Sequence, residues 1–374
     1  MNVENESDMS VQPEHNIASL IERYICEGGF AGAAVGVARQ GQRVFEHYAG
    51  LAAPGLASGP DVLFPIASIT KSFTAAMVMR LVELGELTLN TFVSSVLPKF
   101  TGDGRDEVRL RHLLTHTSGL PYESDEMEAR LKAQTPLNEL IKEAYTAPLL
   151  FKPGTRLSYG DYNYLLAGHI AEVVTGTPYP ELVRKFVIEP MGLGNTFVVP
   201  EPKDYGRIAK VRGVLAEGTD GAMYNSPYAF SLAHPAFAGV STPGDMIRFA
   251  SHFAPDGPRI HAEVTVRAMT RQQTGDVPGE HPTVKGYGAD ARIPWGFGFA
   301  LQTEQVPALF SELASFRSFG HGGASGCQLV IDPDVNLIVV VLTNSHVRTG
   351  RDRWYRQLQS IINSAFANFA QPDV

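Results

Sequence analysis

Short strand-like runs stand at both ends of this chain with a long helical stretch between them, and that order narrows its folds more than any other feature. Near the N-terminus, Ala33 to Ala38 and Arg43 to Tyr48 flank Gln40-Gly41-Gln42, a turn composition that predicts a hairpin. Towards the C-terminus, Phe297 to Gln302, Phe316 to Phe319, Gly326 to Ile331 and Leu337 to Leu342 are short, apolar or alternating, and separated by turns. That is the pattern of antiparallel strands. Asn16 to Cys26 reads as an opening amphipathic helix and Arg353 to Phe369 as a closing one. From Leu87 to about Phe249 the pattern is mostly helical, with helices expected at Leu110–Leu114, Pro136–Tyr145, Tyr162–Thr175 and Pro178–Phe186. An α+β fold follows. Residues 15–86 and 290–374 supply an antiparallel sheet flanked by helices, and residues 87–289 form an inserted, mostly helical domain with cleft-covering loops. Residues 1–14 read as a polar tail.

Composition removes several function classes. The 36 glycines and 25 prolines are spread through the 374 residues rather than gathered into a repeat, which argues for folded structure. A formal net charge of -8 offers no positive surface for a polyanion, so nucleic acid is not an expected partner. Cys26 and Cys327 are the only cysteines and read as ordinary thiols, not a disulfide framework. Met1 to Gln12 carries Glu4, Glu6 and Asp8 without the apolar core of an export signal, and no later run is long enough to span a membrane. Cytoplasmic residence without a membrane partner is therefore expected.

The chemistry starts at Ser68-Ile69-Thr70-Lys71. Ser68 opens a predicted helix that runs to about Leu84, where Gly85 stops it. Three residues apart on a helix, Ser68 and Lys71 share a face. A serine hydroxyl attacks only when a neighbouring group takes its proton, and an amine serves if its protonation is tuned. Backbone N–H groups at the start of the helix would help to hold an anionic acyl-transfer intermediate. On its own such a short pattern describes many solvated lysines beside a serine, so the rest of the chain has to carry the argument.

Further elements follow in order: Arg111-His112-Leu113-Leu114-Thr115-His116-Thr117-Ser118-Gly119-Leu120, Tyr159-Gly160-Asp161, Glu189-Pro190-Met191-Gly192-Leu193, Gly239-Val240-Ser241-Thr242-Pro243-Gly244-Asp245 and His321-Gly322-Gly323. With Ser68-Ile69-Thr70-Lys71 in front, this series resembles the serine beta-lactamase and penicillin-binding protein superfamily. The similarity is to its class C beta-lactamase-like branch of esterases, D-aminopeptidases, carboxypeptidases and acyltransferases, over roughly Ile17 to Phe366. The resemblance implies a covalent acyl-serine mechanism. Ser68 would be the nucleophile, Lys71 and Tyr159 would share proton transfer, and the backbone N–H groups of Ser68 and Ala324 would form the oxyanion hole. It implies no cofactor and no metal. His112 and His116, four apart, lack a third ligand at a recognised spacing and read as structural or loop-bonding.

Departures from the family pattern bear on the substrate. His321-Gly322-Gly323 stands where beta-lactamases usually have Lys-Thr-Gly, which removes a fixed cation and a hydroxyl that would hold a substrate carboxylate. Asp161 replaces a common asparagine; if it reaches Lys71 it would hold the amine as ammonium and leave Tyr159 as the immediate base. No dedicated deacylating glutamate is evident, and Glu172 reads as a solvated or helix-anchoring residue. Asp161, His321, Gly322, Gly323, Tyr224 and Trp295 are the candidate substrate-binding residues, with Tyr205, Tyr224, Tyr228 and Phe230 on a long loop from Glu201 to Pro235. The reading is a serine esterase acting on a small ester or amide, or an acyltransferase that uses a second acyl acceptor. A beta-lactamase, a D-Ala-D-Ala carboxypeptidase, a D-amino-acid amidase or aminopeptidase, and a catalytically silent binding module are the alternatives. Oligomeric state is not legible. No Gly-x-Ser-x-Gly elbow occurs, which disfavours an α/β-hydrolase.

Overall fold

The computed structural model describes residues 13–212, 225–280, 292–306, 309–346 and 352–366. The strands of its main sheet, in chain order, are β1 (Gly32–Arg39), β2 (Gln42–Ala53), β3 (Leu56–Ala57), β4 (Ala300–Leu301), β5 (Phe319–Gly323), β6 (Cys327–Asp332) and β7 (Leu337–Thr343). They form one seven-stranded antiparallel sheet in the order β3-β2-β1-β7-β6-β5-β4. The two ends of the chain meet at its centre, where Ala33 pairs with Thr343 and Arg39 with Leu337. The β1–β2 hairpin turns on Gln40 and Gly41, with φ of 50° and 75°. Both residues lie in the left-handed region that suits a tight hairpin.

Every residue of β7 is buried, so the strand is covered on both faces. Ile338, Val340 and Leu342 join the larger hydrophobic cluster with Phe73, Leu165 and Phe249. Leu337, Val339 and Val341 join the smaller one with Ile17, Ile21, Leu358 and Ile362. This is the period-two alternation of a strand between two helical layers. The outer layer is α1 (Pro13–Cys26) packed on α5 (Asp352–Phe366). The inner layer contains α2 (Thr70–Glu83), α3 (Asp161–Thr175) and α4 (Pro243–Ser251), with α4 lying against β1 and β7 and α3 against α2. At Gly36 of β1 a Cβ would sit 2.8 Å from Ile247 Cδ1, so the missing side chain is what lets α4 approach the sheet.

The larger cluster runs without a break from the sheet face into the inserted helices, including Leu113, Leu140 and Leu182. Most expected elements stand close to their predicted limits: Leu110–Leu114, Leu137–Thr146, Asp161–Thr175 and Cys327–Asp332. Two differ. The strand expected at Phe316 to Phe319 instead runs from Phe319 to Gly323, because the His321-Gly322-Gly323 segment is held as strand by pairing with β6. The helix expected at Pro178–Phe186 is α-helical only over Tyr179–Val183 and then widens into a π-helical turn at Arg184–Ile188. Cys26 is exposed and Cys327 buried, both as free thiols. Among the described residues no helix is long and apolar enough to cross a membrane.

Candidate active site

The nucleophile candidate sits on a strained turn. Ala67 has a φ of 46°, unusual for a residue with a Cβ, and begins a 3₁₀ turn over Ala67–Ile69 that leads directly into α2. Strand β5 passes over this turn so closely that a Cβ on Gly323 would lie 2.3 Å from the Ile66 carbonyl oxygen. Only glycine permits that approach. Just beyond the strand, Ser325 Oγ donates to the Pro65 carbonyl, 2.5 Å away. Opposite, Ile66 N–H donates to the Gly239 carbonyl and Gly239 N–H to Thr70 Oγ1, both at 2.9 Å. The turn is thus held from both sides. Ala324 packs beside it with Ala67 and Val211.

Lys71, one helical turn after Ser68, is wholly buried, and Ser68 is 7 % exposed. Lys71 Nζ lies 3.2 Å from Ser68 Oγ, 2.5 Å from Asp161 Oδ1 and 3.1 Å from the Ala236 carbonyl. Three acceptors for three N–H donors is the pattern of an ammonium group. Burial by itself favours the neutral amine. The charge of Asp161, helped by Tyr159 and by the hydrogen bonds of both, outweighs it and holds the Lys71 pKa above its ordinary 10.5.

Tyr159 follows the two-residue strand Leu157–Ser158 and precedes α3, so its position depends on where that helix begins. Its phenol reaches both Lys71 and Ser68, and Lys71 Nζ lies 4.8 Å from the ring centroid. Burial pushes the phenol pKa up; the Lys71 charge opposes this and the Asp161 charge adds to it. Around the ring stand His116 at 4.4 Å, Trp295 at 5.7 Å, and His321 and Tyr122 at 6.0 Å between centroids.

Ser68, Lys71, Tyr159 and Asp161 therefore meet, and Gly323 and Ala324 border the Ser68 turn. Asp161, expected among the substrate contacts, instead commits an oxygen to Lys71 and is 4 % exposed. Trp295 and His321 also stand back from the cleft, 1 % and 2 % exposed, as packing behind Tyr159. His321 Nδ1–H donates to the Gly322 carbonyl at 2.7 Å, within its own strand. Gly322 is exposed, and a Cβ there would meet no atom within 4 Å, so open space lies beside it. Tyr224 lies outside the described residues. On the long loop, Tyr205 and Phe230 pack on each other at 5.0 Å and Tyr228 donates to the Thr135 carbonyl.

His112 Nδ1 accepts the Arg109 N–H and His116 Nδ1 accepts the Gly160 N–H, both at 3.2 Å, which is the loop-bonding role expected of them. Glu172 accepts from Tyr179 N–H at 2.8 Å and pairs with His169, anchoring the end of α3. Sequence reasoning missed the Ala236 carbonyl, because any residue type supplies one. It also missed Asn163, which accepts from Ser118 Oγ at 2.6 Å behind the site.

A serine, lysine and tyrosine gathered at the head of a buried helix, under the edge of an antiparallel sheet, define the serine beta-lactamase-like class of enzymes. The profile of the beta-lactamase family matches residues 17–361, and the chain belongs to that family. Esterase EstB of Burkholderia gladioli is 30% identical over 364 residues, covering 87% of this chain and 89% of that protein. Penicillin-binding protein 4 of Amycolatopsis lactamdurans is 28% identical, covering 91% and 84%. Among solved structures, EstCE1, described as a hydrolase with promiscuous acyltransferase activity, superposes with a TM-score of 0.78 over 95% of this chain and 98% of that one. At 23% identity that likeness speaks for the fold.

Proposed function

We infer that this chain is a serine esterase that acts through an acyl-serine intermediate at Ser68, with acyl transfer to a second nucleophile as an accessible outcome. The observation that carries the reading is the convergence of Ser68 Oγ, the Lys71 ammonium and the Tyr159 phenol in a nearly buried site. In this mechanism Tyr159 acts as a phenolate held beside the Lys71 ammonium, and it takes the Ser68 hydroxyl proton as Oγ attacks the ester carbonyl. The C–O bond to the leaving group then breaks, and Tyr159 returns the proton to the departing alkoxide. Water or an alcohol repeats the sequence on the acyl-serine, with its proton following the same route. The backbone N–H groups of Ser68 and Ala324 are proposed to hold the oxyanion; the close passage of β5 over the Ser68 turn supports this assignment.

The ester is favoured over a carboxylate-bearing beta-lactam or peptide by the surroundings of β5. Gly322 has no hydroxyl to offer, and His321 is buried and bonded within its own strand, so neither supplies a fixed cation for a carboxylate. The relation to Esterase EstB points the same way. Turnover of a short-chain p-nitrophenyl ester, read alongside intact mass, tests the reading. Wild type should turn over the ester and accumulate an acyl adduct. Ser68→Ala should lose both, with a rate loss on the order of 1,000-fold or more. A chromogenic cephalosporin should be cleaved poorly by either protein. Ester turnover unaffected by Ser68→Ala would exclude the mechanism.

A further inference from the structure

We propose that His116 is a positioning residue that sets the Tyr159 phenol against Ser68 and Lys71; the proposal rests on the assignment of Tyr159 as the proton-transferring group. His116 bonds the residue on each side of Tyr159. Its carbonyl accepts the Ser158 N–H at 2.9 Å, and its ring Nδ1 accepts the Gly160 N–H at 3.2 Å. Between those two bonds its imidazole packs on the Tyr159 ring, with centroids 4.4 Å apart. One residue therefore controls the backbone before the tyrosine, the backbone after it and the plane of its ring.

The arrangement is held at a conformational cost. His116 has a φ of 58°, in the left-handed region where a side chain is disfavoured, and it is wholly buried. That backbone conformation brings both its carbonyl and its ring nitrogen to the Tyr159 segment. Accepting the Gly160 N–H obliges Nδ1 to be unprotonated, so the ring is neutral with its proton on Nε2. Tyr159 has no regular secondary structure of its own, lying between Ser158 and the first residue of α3. It needs such a clamp more than Ser68 and Lys71, which a helical turn already aligns.

The rate of Ser68 acylation in single turnovers, with KM and thermal stability measured alongside, tests this. His116→Ala should slow acylation on the order of 10- to 100-fold with little change in KM, as expected for misplacing a catalytic group. His116→Asn tolerates the left-handed backbone and presents Oδ1 to the Gly160 N–H, so it should recover most of the rate. His116→Gly relieves the backbone and lacks the acceptor, so it should remain slow. In a Tyr159→Phe background, His116→Ala should add no further loss. A wild-type rate in His116→Ala, equal rates in the Asn and Gly variants, or a full additional loss in the Tyr159→Phe background would each overturn the positioning role. If Tyr159→Phe itself acylates at the wild-type rate, the assignment of Tyr159 fails and this inference goes with it. Should His116→Ala fail to fold, the Asn and Gly pair decides.

Discussion

At Lys71 three N–H donors face Asp161, Ser68 and the Ala236 carbonyl, and the short contact with Asp161 stabilises the charged form in a buried setting. Because the Lys71 pKa is raised, the stabilisation it contributes is fully present below its ordinary value and is lost as the pH rises through the folded one. The Tyr159 pKa is raised as well, so ester turnover should increase from neutral into alkaline pH and fall again as the pair loses its last proton. The Asp161 charge raises both groups, so Asp161→Asn should move both limbs of the kcat/KM profile to lower pH. Limbs that stay in place would count against the coupling. Two adjacent glycines make a second residue-scale test. Gly323→Ala places a Cβ 2.3 Å from the Ile66 carbonyl and should cost about 1–3 kcal/mol as well as most of the activity. Gly322→Ala meets nothing and should stay within about 0.5 kcal/mol of wild type by chemical denaturation.

Strands and helices were legible to the extent that their own side chains repeat. Leu337–Thr343 reads as a strand from its unbroken apolar run, and Leu110–Leu114 as a helix from its spacing. The exception is β5, whose glycine pair has little strand preference; pairing of His321 with Leu329 and Gly323 with Cys327 makes it a strand. Phe316, which led the expected strand, is 52% exposed. Helix α2 is held in place by contacts invisible in its sequence, above all Phe73 stacked on Phe249 of α4 at 3.9 Å. Phe249→Ala should therefore cost about 3–5 kcal/mol in urea denaturation, through lost burial and the cavity left behind. It should also lower ester turnover, because α2 carries Lys71.

Across the whole molecule the sheet joins residues from both ends of the chain, and the larger cluster continues from it into the inserted helices. Loosening the outer layer should then reach the active site. Ile362 is fully buried between α5 and the sheet, so Ile362→Ala should cost about 2–5 kcal/mol. Loss of ester turnover and loss of helical circular dichroism should move together to lower temperature. Separate transitions would show that the inserted region holds its structure alone.

The sequence by itself determined the chemistry to expect and the layered α+β plan. Ser68 and Lys71 lie one helical turn apart, and the strands and helices announce themselves by local periodicity. Only the tertiary structure decided that Asp161 holds Lys71 from 90 residues away, that the Ala236 carbonyl completes the ammonium site from 165 away, and that His116, Trp295 and His321 enclose Tyr159. Apart from His321, in the middle of β5, those partners sit on loops and at the ends of elements. No repeat marks such positions, and only the packing of the core brings them together.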